Sequence, residues 1–439
     1  MDLLAADVIY YMLLFGSVLF IIFFVKESVQ EWITYLELKY QSEKDRAVLE
    51  IRVPRDINKT PLAMEFVLNS MQEVGGDGDW LTRLTTGKRR SIFSLEMASH
   101  AGDVHFYIWC ERDWIPRVEA HFYAQYPNIE LVEVKDYALH YPFSYDTHKI
   151  FGFEFGLIQP DPVPILTYKN YGQDRQGAID PEDQVDPITQ TIEALSNIGP
   201  GEEIWVQFVC RSHKDNDETK LPWSKRIKAL LVFPFQGNTK DFFKKLGEFF
   251  FGKKKTDWKA QGIELIRKIR ESYKQKGDDE YTTNEMTKLD RLKMDAIAEN
   301  ITKPAFDIGM RTLYIAQKDQ FKPGSNIQLM GSAFRQYATG EVYNGIKPDL
   351  ITSYDFDWQD RSGKHIKELL TNLFYAYRKR AFMYRPTKEF KYGKTMYKTF
   401  VLSTEELATL YHIPGQVAAT PTFERIESVT GQAPANLPL

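Results

Sequence analysis

The sequence predicts an α+β protein: one N-terminal transmembrane helix, then two modules of alternating strand and helix patterns. Three observations predict it. Residues Val8 to Val25 form an uncharged, apolar run of 18. Beyond it, apolar residues switch between period two and period 3.6 in a definite order. A similar order then begins again near Ile165.

Composition narrows the class. Of 439 residues, 43% are apolar, 26% charged and 14% aromatic, which excludes a largely disordered or low-complexity chain. A mean hydropathy of -0.40 excludes a polytopic membrane protein. With 56 basic and 60 acidic residues the net charge is -4, so no whole-molecule field points to nucleic acid or an anionic membrane. Two cysteines cannot build a disulfide framework and fit a reducing compartment. Cys110 and Cys210 each end an apolar strand pattern and read as small core residues.

The apolar run rises about 27 Å, enough to cross a hydrocarbon core. Tyr10 and Tyr11 stand near one end, where an interfacial aromatic belt is expected. A cleaved signal peptide needs a basic leader, yet only Asp2 and Asp7 are charged before the run. Lys26, Lys39, Lys44 and Arg46 follow it. The positive-inside rule then places the N-terminus outside and the bulk of the chain in the cytoplasm, a single-pass protein of the inner membrane. Residues 1–27 are the anchor and 28–46 a juxtamembrane segment, with Gln30 to Gln41 an amphipathic helix leaving the bilayer.

The first module spans residues 47–150. Val48 to Val53 alternates as a strand. Thr60 and Pro61 open a helix as N-cap and first helical residue, with Met64, Val67, Leu68 and Met71 on one face. After a Gly/Asp loop at Gly75 to Asp79 and a basic patch, Lys88, Arg89 and Arg90, two strands follow. They are Ile92 to Ala98 and Val104 to Cys110, joined by a turn at Ala101-Gly102-Asp103. Asp113 is the expected cap of a helix carrying Val118, Phe122 and Tyr126, and Ile129 to Val134 closes the module as a strand. The order β-α-β-β-α-β is the ferredoxin-like one.

The second module spans 151–352. Its expected elements are a strand at Ile165 to Tyr171, a helix opened by Asp186 and Pro187, and strands at Glu203 to Cys210 and Phe306 to Ala316. A helix capped by Ser325 follows. A helical insertion at about 213–304 separates the two central strands. From Lys240 to Lys276 it holds 12 Lys/Arg against 5 Asp/Glu, a local net of +7. Phe242, Phe243, Leu246 and Phe249 to Phe251 precede Lys253, Lys254 and Lys255. A basic helix with an aromatic face can lie on anionic lipid or bind phosphates of nucleic acid. The same stripe can instead pack on Ile263, Ile266 and Ile269 of a partner helix. If the segment binds an anion, the contacts are Lys244, Lys245, Lys253, Lys254, Lys255 and Lys259.

Residues 353–415 read as a C-terminal helical segment and 416–439 as an extended tail. A helix from Lys364 to Met383 ends in Arg378, Lys379 and Arg380, which suits the negative pole of its dipole. A strand near Met396 to Leu402 leads into Ser403-Thr404-Glu405-Glu406, a capping box opening a helix that Pro414 and Gly415 close.

Motifs of catalysis are not recognisable. Gly393-Lys394-Thr395 ends like a phosphate-cradling loop, but Lys388 stands where its first glycine belongs and a strand pattern follows. No nucleophile elbow, H-E-x-x-H or C-x-x-C occurs. His100 and His105 flank one hairpin turn and read as solvated turn residues. No cofactor is expected, and the residues favour a protein that is not an enzyme.

The segments LEIRVPRDINKTPLAMEFVLNSM from Leu49, AQYPNIELVEV from Ala124 and DPITQTIEALSNIGPGEEIWVQF from Asp186 are distinctive, as are STEELATLYHIPG from Ser403 and the terminal PANLPL. Together they resemble an uncharacterised membrane-anchored domain family of candidate-phyla bacteria. That family is similar to the N-terminal region of type IV secretion and conjugation-type DNA-pump ATPases. In motor-bearing relatives the ATPase follows the terminal segment, whereas this sequence ends at Leu439, so no nucleotide-binding residue carries over. The resemblance implies a non-catalytic scaffold of a secretion or DNA-translocation machine, either with a separate motor ATPase as partner or working without one, and by analogy assembly into a homo-oligomer.

Overall fold

The computed structural model describes residues 2–54, 59–73, 82, 85–174, 185–215, 257–273, 286–338, 340–351, 357–382 and 399–415. The chain divides into two compact units. One comprises Met1–Lys44, Gly75–Arg90 and Lys214–Asp257; the other comprises Asp45–Val74, Ser91–His213 and Trp258–Leu439.

The first unit is built on α1 (Asp2–Ser42), a single helix of 41 residues and about 62 Å. The anchor and the juxtamembrane helix expected from the sequence are therefore one continuous helix. Among the described residues, no helix is long and apolar enough to cross a membrane. Val8 to Val25 lies within α1, and several of its side chains fall outside the described ones. Those described, including Leu13, Phe15, Phe20, Ile21 and Phe24, are exposed.

The second unit is α+β around one antiparallel sheet. Its first pass runs β1 (Arg46–Arg52), α2 (Pro61–Ser70), β2 (Phe93–His100), β3 (Asp103–Glu111), α3 (Ile115–Gln125) and β4 (Glu130–Val134). The short α4 (Tyr137–His140) leads into the second pass. That pass runs β5 (His148–Leu157), α5 (Pro187–Ser196) and β6 (Glu202–Ser212), then α6 (Trp258–Ser272) and α7 (Lys288–Asn300). It ends with β7 (Ala305–Gln317), α8 (Pro323–Ser332) and β8 (Ile346–Ile351). Last come α9 (Lys364–Arg378), β9 (Phe400–Ser403) and α10 (Thr404–Leu410).

The strands lie in the order β4-β1-β3-β2-β6-β7-β5-β8, with β9 also on β7. Within each pass the order is therefore fourth, first, third, second, counted from opposite edges. The two passes meet where β2 pairs β6, from Phe93 opposite Cys210 to His100 opposite Glu203. β7 is long enough to pair β6 on one side and, on the other, β9 through Ala305–Ile308 and β5 through Arg311–Gln317.

Period-two alternation sorts side chains onto two buried faces. One carries Leu49, Ile51, Leu95, Phe106, Ile108, Val206 and Phe208, packed with Met64 and Val67 of α2, Phe122 of α3, Ile192 of α5, Met330 of α8 and Leu407 of α10. The opposite face carries Val48, Tyr107, Trp109, Ile150, Trp205 and Leu313, covered by Leu369, Leu370, Leu373, Phe374 and Tyr377 of α9. Burying each of these large apolar side chains contributes at most about 1.5–3 kcal/mol. Gly152 of β5 makes the approach of α9 possible: a Cβ there would stand 2.7 Å from Leu373 Cδ2 and 2.6 Å from Thr312 O.

Three boundaries differ from expectation. The opening strand of the second pass is β5, and Ile165 to Tyr171 is not a strand. Some of its backbone donors serve side chains, Ile165 N donating to Glu406 and Tyr168 N to Thr409 Oγ1, while Leu166 N donates to Tyr337 O outside any strand ladder. Asp113 lies in a 3-10 turn, and α3 starts at Ile115 with no side-chain cap. Ser325 sits inside α8, which Pro323 opens. The capping box at Ser403 and Glu406 forms as expected, with both reciprocal bonds in place.

Candidate functional site

In the first unit, the loop before Ser91 grips α1. Gly87 adopts φ +69°, and a Cβ there would stand 2.2 Å from Leu36 O, so only glycine lets this backbone meet the helix. Arg89 Nε donates to Glu37 Oε1 at 2.5 Å with both side chains largely buried. Of the basic patch expected at Lys88, Arg89 and Arg90, only Lys88 is exposed; Arg90 is fully buried. Two cations of the patch thus serve the unit's own packing.

In the second unit, a cleft of about 190 Å³ opens between Pro164–Asn170, α7 and the start of α10. Its apolar lining is Pro164, Ile165, Leu292 and Ala296. Its polar side is an ionic cluster drawn from four parts of the chain. Lys169 Nζ lies 2.7 Å from Glu299 and 2.8 Å from Glu405, while Lys303 pairs with Glu405 and lies 3.7 Å from Glu299. Glu65 of α2 accepts from Tyr168 Oη at 2.6 Å.

Two lysines side by side cannot both hold their protons equally well. Burial is the largest single influence on Lys169 and works against its charge, but its hydrogen bonds to Glu299 and Lys303 and the charges of Glu299 and Glu65 together outweigh it and raise the group above the usual range. Lys303 is the more buried of the two. Burial, with Lys169 beside it, lowers its ammonium to about 8 against the pull of Glu65 and Glu299. Next to the cluster, fully buried Glu406 accepts from Ile165 N at 3.0 Å, Ser403 N at 2.9 Å and Ser403 Oγ at 3.1 Å. Burial still pushes its carboxyl up to about 7. Two groups whose protonation changes between pH 6 and 9, beside a cleft, mark a candidate site.

The anion contacts expected at Lys244, Lys245, Lys253, Lys254 and Lys255 lie outside the described residues, as do the Phe242–Phe251 stripe, the Gly75–Asp79 loop and Gly393–Thr395. Lys259 is exposed on the first turn of α6. On the same helix Ile263 is exposed, and Ile266 and Ile269 are half-buried. His100 and His105 are not merely solvated. Each is bonded through Nδ1 to a glutamate, Glu203 at 2.5 Å and Glu50 at 2.8 Å, and the two rings stand 5.4 Å apart. Among the described residues, no group of His, Cys, Asp and Glu could hold a metal ion. Cys110 and Cys210 are free and buried.

Sequence reasoning missed Glu65, Lys169, Glu299 and Lys303, which carry no local signature; of the cluster only Glu405 and Glu406 fall in a recognisable pattern, the capping box. That box belongs to a segment, Phe400 to Pro414, in which every residue is buried. Thr409, Tyr411 and His412 bond inward, to Tyr168 N, Tyr107 O and Asp186. The distinctive STEELATLYHIPG pattern is therefore core chemistry. Compared with family models and with curated proteins, the chain matches none.

Proposed function

We propose that this chain is a single-pass, membrane-anchored scaffold without a catalytic centre of its own, its two passes being ferredoxin-like modules held at the cytoplasmic face of the inner membrane. The observation that carries the reading is α1. Within Val8 to Val25, the described side chains Leu13, Leu14, Phe15, Phe20, Ile21 and Phe24 are each at least half exposed, and Val25 is 40% exposed. Water disfavours so continuous an apolar surface, and a bilayer covers it. The strand order fourth-first-third-second in both passes fits the module assignment.

The resemblance to the N-terminal region of DNA-pump ATPases supplies the setting: a secretion or DNA-translocation machine whose motor is another chain. The buried state of the STEELATLYHIPG segment supports a structural use of that signature.

Fractionation of expressing cells tests the anchor. The full chain should stay in the membrane pellet after alkaline carbonate, with its bulk open to protease only in inverted vesicles. A chain lacking Asp2–Val25 should be released. Extraction of the full chain by carbonate would sink the proposal. Affinity capture from native membranes should then recover a motor ATPase, and repeated recovery without one would remove that partner.

A further inference from the structure

The cleft in the second unit places one lysine in an unusual setting. Lys303 lines a pocket of about 190 Å³ whose apolar lining includes Ile165, Leu292 and Ala296, space for a short acyl chain. Glu299 of α7 and Glu405 of α10 contact its ammonium, and Glu65 of α2, Lys169 and Asp295 complete the charged groups around it. We propose that Lys303 is an acylation site, modified in this cleft by activated acyl donors, acyl phosphates or acyl thioesters.

The chemistry closes without a further reactant. The neutral Nζ forms an N–C bond to the donor's carbonyl carbon. The C–O bond to phosphate, or the C–S bond to the thiol, breaks and the leaving group takes the bonding pair. The proton released from Nζ passes to Glu299 or Glu405 and on to water. An amine with a proton affinity near 8 is neutral far more often at neutral pH than an ordinary lysine near 10.4. Lys169 stays charged beside it and suits the anionic leaving group. Acylation leaves Glu65, Glu299 and Glu405 facing Lys169 alone, which loosens the hold on the start of α10.

The test uses the full chain in detergent, incubated with acetyl phosphate or with acetyl-CoA from pH 6.5 to 9.5, and site-resolved mass spectrometry of its lysines. At pH 7.5 Lys303 should label at least about tenfold faster than exposed Lys259 and Lys268. Its rate should level off above about pH 8 while theirs keeps rising. Faster labelling with one donor only identifies the donor class. Lys169→Gln, which removes the neighbouring cation, should move the Lys303 profile to higher pH, and Lys303→Arg should abolish the fast peptide while keeping the charge. Labelling of Lys303 at or below the exposed rate with both donors, or with their pH profile, overturns the proposal.

Discussion

Two ionic clusters in the second unit solve the same problem in opposite ways. At the seam of the two passes, Arg380 meets Glu96 through a pair of bonds, 2.9 Å from Nε and 3.0 Å from Nη2, and also bonds Asp136. Gln207, Ser94 and Tyr137 complete the shell of Glu96, and Tyr137 Oη reaches Tyr377 Oη at 2.8 Å. Burial alone would push the Glu96 carboxyl up; the Arg380 charge and these hydrogen bonds hold it below the usual range. In the cleft, two lysines face Glu65, Glu299 and Glu405, and there burial prevails at Lys303 and Glu406. The difference teaches that a guanidinium fork fixes its donors in a plane matching a carboxylate, whereas an ammonium is a point charge that must divide itself among acceptors. The seam keeps its charge at neutral pH; in and beside the cleft, Lys303 and Glu406 change protonation near it while Lys169 and Glu299 hold their charges.

The seam should therefore give the largest loss. Arg380→Ala leaves Glu96 buried without its counter-charge, and stability should fall by about 3–5 kcal/mol, read from urea unfolding. Arg380 holds φ +48°, a left-handed conformation that costs a non-glycine residue, so Arg380→Gly relieves the backbone yet should still lose most of that amount. If either variant unfolds with the wild-type midpoint, the contrast between the clusters collapses.

Next in size is the pH dependence of Glu406. Its folded pKa of about 7 exceeds its ordinary 4.5, so burial favours the protonated form. The associated stability is complete below pH 4.5 and is lost as pH rises through 7, a difference of up to about 3 kcal/mol. Glu406→Gln imitates the protonated carboxyl and should flatten that part of the stability–pH curve. A slope unchanged by the substitution would show that the carboxyl is not the titrating group. Lys303 has the reverse sign: its folded pKa is depressed from 10.5 to about 8, so its contribution is complete above 10.5 and is lost as pH falls through 8. Lys303→Met should remove the rise in stability between those limits.

What was legible in the sequence follows the same division. Local signals were readable: Pro61, Asp186-Pro187 and the capping box each mark a helix start where the structure has one. Long apolar strand patterns were readable too: the readings Glu203 to Cys210 and Phe306 to Ala316 fall within the strands Glu202–Ser212 and Ala305–Gln317. β5 was not, because Gly152 and Gly156 interrupt its pattern, and Gly152 is there for the approach of α9. Ile165 to Tyr171 has a strand's composition, yet two of its donors go to side chains of Glu406 and Thr409, 241 residues away in both cases. Nor do Lys169 and Lys303 announce each other: pairing among 60 acidic and 56 basic residues is decided by topology alone.

The smallest effect belongs to an ion pair of good geometry on the surface. Arg112 donates to both oxygens of Glu133, at 2.7 and 2.8 Å, and to Asp45 at 2.9 Å. It shares the two-pronged geometry of Arg380, and its side chain is 45% exposed. If fork geometry alone made the seam strong, Arg112→Ala would approach Arg380→Ala in cost. Solvent screens the exposed charges, and water takes over the orphaned carboxylates once the arginine is gone. The urea midpoint of Arg112→Ala should therefore stay within error of the wild type, and raising the salt concentration should not separate the two. A clear loss would mean that geometry outweighs burial here, and the account of the seam would have to be rebuilt on the guanidinium fork instead of on the desolvated Glu96.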